Sequence, residues 1–153
     1  MIIVSSLGLF ATLVAASASI ATQQTPAPGA CSLLTKELAL KVTSAANKKI
    51  FDLMPPQEEK LSGGTACEYG DIRIQILPGV TEPSGKSAAE WTAVPNVGDR
   101  AMYRANGREY AEMLVIVGKR TLTIQMGVPT GGTPERIKPN AITLANALVP
   151  KLK

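Results

Sequence analysis

Histidine is absent from this 153-residue sequence, and cysteine occurs only twice. Without histidine the chain has no Ser-His-Asp or Cys-His nucleophilic site, no histidine-ligated zinc and no histidine pH switch. Two cysteines are too few for a four-cysteine zinc site or an iron–sulfur cluster. The sequence therefore excludes most familiar catalytic and metal centres, and no cofactor and no metal are expected.

The overall composition is typical of one globular domain. Hydrophobic residues account for 45% of the chain and charged residues for 18%, which argues against a disordered tail and a polytopic membrane protein. The formal net charge is +4, but the basic residues are scattered, with no group larger than a pair such as Lys48-Lys49 or Lys151 and Lys153. Aromatic residues do not alternate with basic ones, so no nucleic-acid partner is expected. We expect a modest attraction to anionic envelope surfaces.

The first 35 residues carry no charge, and residues 2–21 are mostly apolar or small. Ala16-Ser17-Ala18 and Ser19-Ile20-Ala21 resemble signal-peptidase sites, so residues 1–21 are predicted to be a secretory signal peptide. Residues 1–6 lack a basic residue, so either the start lies upstream or the segment stays in the membrane as an anchor. The predicted location is secreted or periplasmic. Residues 22–30 are predicted to be a Pro-rich linker and residues 31–153 a single domain.

Cys31 has three possible states. It can pair with Cys67, because an exported chain meets an oxidising compartment and two cysteines allow one pairing. It can be a lipidated N-terminus, although Pro28 stands where a lipidation motif has an aliphatic residue. The two thiols can also be free and buried. The disulfide is favoured, and chain entropy assigns such a bridge roughly 3–4 kcal/mol.

The pattern of apolar residues predicts helices near both ends of the domain. Thr35 is a predicted N-cap, and Leu38, Val42 and Ala45 then form one stripe of a helix ending near Asn47. Further along the chain, the pattern predicts a polar loop at 57–64, a strand at 71–77, a short helix at 87–91 and a helix at 139–149.

Two turns predict a three-stranded antiparallel meander at 100–127. Asn106-Gly107 is a strong hairpin signal, and Gly118-Lys119 suits a second two-residue turn. Counting outward places Tyr103 opposite Tyr110. It also puts these residues on one core-facing side: Met102, Ala111, Met113, Val115, Leu122, Ile124 and Met126. The predicted fold class is α+β, with an antiparallel sheet containing this meander, packed against N- and C-terminal helices and carrying one disulfide.

Three short motifs carry a resemblance to a known kind of protein. They are Cys31-Ser32-Leu33-Leu34-Thr35, then Cys67-x-Tyr69, then Val94-Pro95-x-x-Gly98-Asp99-x-Ala101-x-Tyr103. Together they resemble a family of small exported bacterial domains of unknown function, often found on lipoproteins. The resemblance implies an α+β scaffold with the same disulfide, and it transfers no catalytic residue. The basic segment at 47–60 departs from that family.

The outward face of the predicted meander is the candidate binding face. Its residues are aromatic, basic or hydroxylic: Trp91, Tyr103, Arg108, Tyr110, Thr121 and Thr123. An exposed aromatic patch of this kind binds a partner or a small ligand. In the alternative interpretation, the N-terminal helix or the Trp91 segment covers the face, and the tyrosines are packing residues.

Other polar motifs are interpreted as ordinary surface. Gly85-Lys86-Ser87 lacks the glycine spacing of a phosphate-binding loop, and Ser84 with Lys86 shows no sign of a buried catalytic lysine. The carboxylates Glu58, Glu59, Glu68 and Asp71 lack the spacing of a calcium loop.

These observations favour a non-enzymatic binding or accessory module whose partner is an unknown protein or a small envelope ligand. A membrane is a partner only if the N-terminal segment is uncleaved. Two alternatives remain open: an assembly factor that acts by strand addition at a sheet edge, and a small carboxylate-dependent envelope hydrolase.

Overall fold

The structure is a computed structural model that describes residues 28–153 except 44, 46 and 84, without the side chains of 85–87. The predicted signal peptide, residues 1–21, and residues 22–27 of the predicted linker lie outside the described residues. Pro28 accepts a hydrogen bond through its carbonyl from the Thr65 hydroxyl, and Ala30 is buried. The folded domain therefore includes the last residues of the predicted linker.

Within the described residues, the chain forms four α-helices and seven strands. The helices are α1 (Ala30–Leu33), α2 (Lys36–Val42), α3 (Ile50–Leu53) and α4 (Pro134–Leu152). The strands are β1 (Gln57–Leu61), β2 (Gly64–Tyr69), β3 (Ile72–Pro78), β4 (Thr92–Val94), β5 (Arg100–Asn106), β6 (Tyr110–Val117) and β7 (Arg120–Gly127). A 3₁₀-helix, Gly85–Glu90, precedes β4, close to the predicted short helix.

The seven strands form one antiparallel sheet in the order β1-β2-β3-β7-β6-β5-β4. Two meanders, β1–β3 and β4–β7, meet where β3 pairs with β7. The fold is α+β with a C-terminal helix and a disulfide, as predicted, but the sheet is larger than a three-stranded meander. The sequence prediction missed β1, β2 and β4.

All four helices pack on one side of the sheet, which we call the inner face. Helix α4 lies across β5, β6 and β7 and buries Ala141, Leu144, Ala145 and Leu148 at the predicted helical spacing. The buried strand residues that complete the core on this face are Ile72, Ile74, Ile76, Met113, Val115, Leu122, Ile124 and Met126. Helix α4 begins five residues before the prediction, because Pro134 occupies its first turn and Pro139 lies inside it.

The N-terminal helices are held to the sheet covalently. Cys31 in α1 is bonded to Cys67 in β2, so the favoured pairing is confirmed. Thr35 caps α2, because its hydroxyl accepts a hydrogen bond from the Leu38 N–H. Helix α2 ends at Val42 rather than near Asn47, because Thr43 turns away into an extended conformation and donates to the Asp71 carboxylate.

The second predicted hairpin is correct and the first is wrong. Val115 pairs with Leu122, as the Gly118-Lys119 turn predicts. In the first hairpin Asn106 pairs with Tyr110, so the loop contains three residues, Gly107 to Glu109. Tyr103 therefore lies opposite Met113 instead of Tyr110. Because this slip is an odd number of residues, it reverses the faces of β5.

The corrected register moves Tyr103 into the core and Met102 out of it. Tyr103 and Ala101 lie on the inner face, where both are buried. Met102 pairs with Leu114 on the opposite side of the sheet, which we call the outer face.

Strand β1 was predicted as part of a polar loop because it is an exposed edge strand. Four of its residues, Gln57 to Lys60, are exposed, so neither of its faces needs apolar side chains. The alternation that identifies a half-buried strand is therefore missing. Strand β3 has that alternation, with Ile72, Ile74 and Ile76 buried, and it was predicted correctly.

The connection from β3 to β4, residues 79–91, crosses part of the outer face. At its start, the Thr121 hydroxyl donates to the Gly79 carbonyl and accepts from the Thr81 N–H. At its end, Arg104 lies over the Trp91 ring, 4.7 Å from the ring centroid. Leu114 and Ile116, on the outer face of β6, are buried. The connection thus divides the outer face into a covered part and an open part.

Candidate functional site

A row of polar side chains crosses the outer face. Cross-strand pairing aligns one residue from each of six strands, in the order Gln57, Glu68, Arg73, Gln125, Glu112 and Arg104. Opposite charges adjoin along the row, which stabilises neighbouring strands. We call these six residues the polar row.

The arginines of the polar row are held by carboxylates. Arg73 pairs with Glu59 at 2.7 Å and with Glu68 at 3.3 Å. Arg104 pairs with Glu112 at 2.6 Å, and these two side chains are about four-fifths buried. The cation–π contact with Trp91 adds a further restraint on Arg104. Most side chains of the polar row therefore make cross-strand contacts that stabilise the sheet.

A cleft of about 620 Å³ opens where the row reaches the end of the strands. It lies between the β2–β3 turn, the end of β7, the β5–β6 loop and the segment after α2. Its lining residues are Asn47, Glu68, Gly70, Asp71, Ile72, Arg73, Glu109, Tyr110, Gln125, Gly127 and Val128. The volume falls in the range of small-molecule sites.

The deep polar group of the cleft is structural. The Asp71 carboxylate accepts hydrogen bonds from the Thr43 hydroxyl and the Asn47 side-chain amide. Its backbone carbonyl accepts from the Gly127 N–H at 2.7 Å. Asp71 thereby joins the segment after α2 to the β2–β3 turn and to β7, and it gives the cleft a fixed wall.

Three other lining side chains are available to a ligand. Tyr110 is 44% exposed on the outer face. Within the described part of the chain, the side chains of Tyr110, Glu109 and Gln125 make no hydrogen bond or ion pair. The lining contains three carboxylates and one guanidinium, so the cleft is negative in a chain whose net charge is +4. An aromatic face beside carboxylates is suited to a cationic group.

The structure separates the six residues predicted to form the binding face. Tyr103 is buried beneath α4, and Thr121 is buried beneath the 79–91 connection. Trp91 is half-buried against Arg104. On the outer face Tyr110 is exposed and Thr123 is half-buried, and Arg108 is exposed in the β5–β6 loop. The prediction of one patch centred on both tyrosines is therefore wrong, and Tyr110 alone reaches the cleft.

Sequence reasoning missed most of the cleft. Glu68 and Asp71 were interpreted as ordinary surface, and Asn47, Glu109 and Gln125 were not singled out. One signal was present, because the alternation of β3 puts Arg73 on the face opposite its isoleucines. The rest comes from segments far apart in the sequence, whose pairing the sequence does not reveal.

The motif residues of the family resemblance have structural roles. The Tyr69 hydroxyl donates to the Phe51 carbonyl, and the two rings meet edge to face at 4.8 Å. Gly98 has a φ of +60°, and a Cβ there would lie 2.7 Å from the Ile116 carbonyl oxygen. The Asp99 carboxylate accepts from the Gly118 N–H. These motifs maintain the fold and form no part of the cleft.

The described residues contain no group of three or more cysteine, aspartate or glutamate side chains able to hold a metal ion. None of the helices described is long and apolar enough to span a bilayer.

Both sheet edges carry features that oppose strand addition. Strand β1 presents Glu58, Glu59 and Lys60, and it follows Pro55-Pro56. Strand β4 has only three residues and is followed by Pro95. Charges, proline and short length are the usual means by which proteins protect sheet edges from pairing with other strands.

Comparison with known proteins finds no family model, no curated protein and no solved structure that matches this chain.

Proposed function

We propose that this chain is an exported, non-enzymatic binding module whose cleft holds a small polar ligand bearing a cationic group. The observation that carries the proposal is the open cleft at the end of the outer face, with Tyr110 exposed beside the carboxylates of Glu109 and Asp71. A cation above the Tyr110 ring would be attracted by the ring and by the net negative lining.

The hydrogen bonds and ion pairs that the cleft carboxylates already make favour binding over hydrolysis. A glycan hydrolase needs two carboxyl groups free to face one bond. Asp71 is bound by Thr43 and Asn47, and Glu68 is paired with Arg73. Only Glu109 among the cleft carboxylates has no partner in the described residues, which fits a group that attracts a ligand.

Export is supported by two independent features. The uncharged, apolar residues 1–21 have the composition of a signal peptide, and the Cys31–Cys67 disulfide fits an extracellular or periplasmic protein. We further propose that the chain is a member of the family of small exported bacterial domains that its cysteine and glycine motifs resemble. Strand addition is less well supported, because both sheet edges are protected.

Titration of the isotope-labelled protein with simple probes tests the ligand class. We propose argininamide and choline as cations, glucose as a neutral molecule and glutamate as an anion, with the backbone amides of Gly127 and Val128 as reporters. The cations should shift these two resonances saturably, and added salt should weaken the effect because the attraction is partly ionic. Equal shifts with glutamate, or no shift with any probe, would contradict the proposal.

Matched variants locate the binding. Tyr110→Leu removes the aromatic ring and should weaken cation binding about two- to fivefold. Glu109→Gln should weaken it by a similar factor, because it removes an unpaired charge from the rim. Glu82→Gln changes an exposed carboxylate beside Arg100, outside the cleft, and should leave binding unchanged. If Glu82→Gln weakens binding as much as Glu109→Gln, the attraction comes from the general surface and not from the cleft.

A further inference from the structure

Helix α3 and the residues before and after it present apolar side chains to solvent. Leu53 is 80% exposed and Met54 is 49% exposed, and they are adjacent in sequence. The only other large apolar side chains exposed to a similar degree in the described residues are Val80 and Tyr110. We call residues 47–54 the α3 tip.

The α3 tip is firmly attached to the domain. Consecutive backbone hydrogen bonds run through it, from the Ile50 N–H to the Asn47 carbonyl and from the Met54 N–H to the Ile50 carbonyl. Phe51 is buried against Tyr69, whose hydroxyl donates to the Phe51 carbonyl. The exposure of Leu53 is thus a property of an anchored helical turn.

Helical geometry places a lysine beside the exposed leucine. Lys49 and Leu53 are four residues apart, so they project on the same side of the turn, opposite the buried Phe51. Both are exposed, and Lys48 is exposed next to them. One surface of the α3 tip therefore combines apolar side chains with positive charge.

The positive charge of this surface is not cancelled by its neighbours. In the described residues, Lys48 and Lys49 form no ion pair. The nearby Asp52 is paired with Lys36 at 2.7 Å, and Asp71 is bound by Thr43 and Asn47.

We infer that the α3 tip docks the domain on the surface of a membrane containing anionic lipids. Lysines beside exposed apolar side chains match the two layers of such a surface, because the ammonium groups meet the headgroups while leucine and methionine enter the acyl boundary. The binding is peripheral and reversible, since only two apolar side chains insert. The side chains that carry this inference, Lys48, Lys49, Leu53 and Met54, do not line the cleft, and the inference does not depend on the proposed ligand.

A tryptophan probe at the α3 tip reports on the contact at that position. The full chain can therefore be used, because a separate membrane contact by residues 1–27 is not what the probe measures. Leu53→Trp is introduced in a Trp91→Phe background and mixed with phosphatidylglycerol or phosphatidylcholine vesicles at millimolar lipid. On phosphatidylglycerol, the probe emission should shift to the blue and be quenched by brominated acyl chains. On phosphatidylcholine, both effects should be several-fold smaller, because each lysine contributes about fivefold to binding an anionic surface.

Three further variants distinguish the α3 tip from the rest of the surface. Lys48→Glu/Lys49→Glu should abolish the response on phosphatidylglycerol, whereas Lys151→Glu/Lys153→Glu, the matched pair at the other end of the chain, should not. Val80→Trp places the same probe on an exposed residue at the opposite end of β3 and should not be quenched.

Three results would overturn the inference. The first is quenching of the Val80→Trp probe as strong as that of the Leu53→Trp probe. The second is an equal response on neutral vesicles. The third is an unchanged emission on anionic vesicles, which would leave a partner protein as the occupant of the α3 tip. Far-ultraviolet circular dichroism of each variant, with its disulfide intact, confirms that the fold is retained.

Discussion

The phenolic hydroxyl of Tyr103 donates a hydrogen bond to the backbone carbonyl of Pro134. This contact connects β5 to the first turn of α4, where Pro134 is buried. The ammonium of Lys138 lies 5.4 Å from the centroid of the Tyr103 ring. The tyrosine that the sequence assigned to a binding face is therefore an anchor between the sheet and the C-terminal helix.

The Tyr103 hydroxyl should contribute measurably to stability. Tyr103→Phe removes this buried hydrogen bond to the Pro134 carbonyl, and we expect a loss of about 1–2 kcal/mol in the free energy of unfolding. Tyr110→Phe, which removes an exposed hydroxyl, should change it by less than about 0.5 kcal/mol. Urea unfolding measures both, and equal effects of the two substitutions would contradict the burial of Tyr103.

The titration of Tyr103 should make the protein less stable at alkaline pH. Burial raises the pKa of Tyr103 to about 12, and the carboxylate of Glu135 adds to the rise. An unfolded tyrosine titrates near pH ~10. Because the folded state holds the proton more tightly, the contribution of Tyr103 is complete below about pH 10 and falls as the pH rises through about 12.

Urea unfolding of the wild type and of Tyr103→Phe between pH 9 and 12 isolates this contribution. Other groups also titrate in that range, but they are common to both proteins. The difference in unfolding free energy between the two proteins should shrink as the pH rises. A difference that stays constant would show that the pKa of the Tyr103 phenol is not raised in the folded state.

The two hairpins of β5–β7 show how far local sequence determines register. The Gly118-Lys119 turn places Val117 opposite Arg120, so counting outward from two residues gives the right pairs. Asn106-Gly107 has the same appearance, but Asn106 belongs to the strand and the loop continues through Glu109. Nothing local distinguishes a two-residue from a three-residue loop here, and the register that forms is the one that places Tyr103 under α4.

Gly107 tests the backbone conformation of the β5–β6 loop. Its φ is +68°, and a Cβ would meet no atom within 4 Å, so any cost of substitution arises from backbone conformation. Gly107→Val should lower the free energy of unfolding by about 1–3 kcal/mol. Arg108→Val, at the next position of the same exposed loop, should cost under about 0.5 kcal/mol. If the Gly107→Val protein unfolds at the wild-type urea midpoint, residue 107 does not have the positive φ that would strain a valine.

The disulfide should account for a large part of the stability. Cys31 and Cys67 are 36 positions apart, and the bridge restricts the unfolded chain between them. Cys67→Ser should lower the free energy of unfolding by about 2–5 kcal/mol. Reduced and alkylated wild-type protein is the control, because it loses the same bridge without a change of sequence. Quantitative alkylation of both thiols without reductant would instead show that the bridge is absent.

The candidate site was harder to predict than the core, for a physical reason. Core positions repeat along each strand, so Ile72, Ile74 and Ile76 identify one another. The cleft is assembled from a loop after α2, a turn, a strand end and a second loop, each contributing one or two side chains. Tyr110 was singled out from its residue type and its predicted place on the outward face of the meander, whereas Asn47 and Gln125 become relevant only when the strands are paired.

The junction between the two meanders has a consequence for folding. Each meander is built from neighbouring segments, but β3 and β7 join residues as distant as Ile72 and Met126, 54 positions apart. Contacts of this range form slowly, on the order of milliseconds to seconds. The disulfide lies entirely within the first half, so its formation neither requires nor hastens the junction. Until the halves meet, β3 and β7 each expose an unpaired, isoleucine-bearing edge, and this is the stage at which the chain is most prone to aggregate.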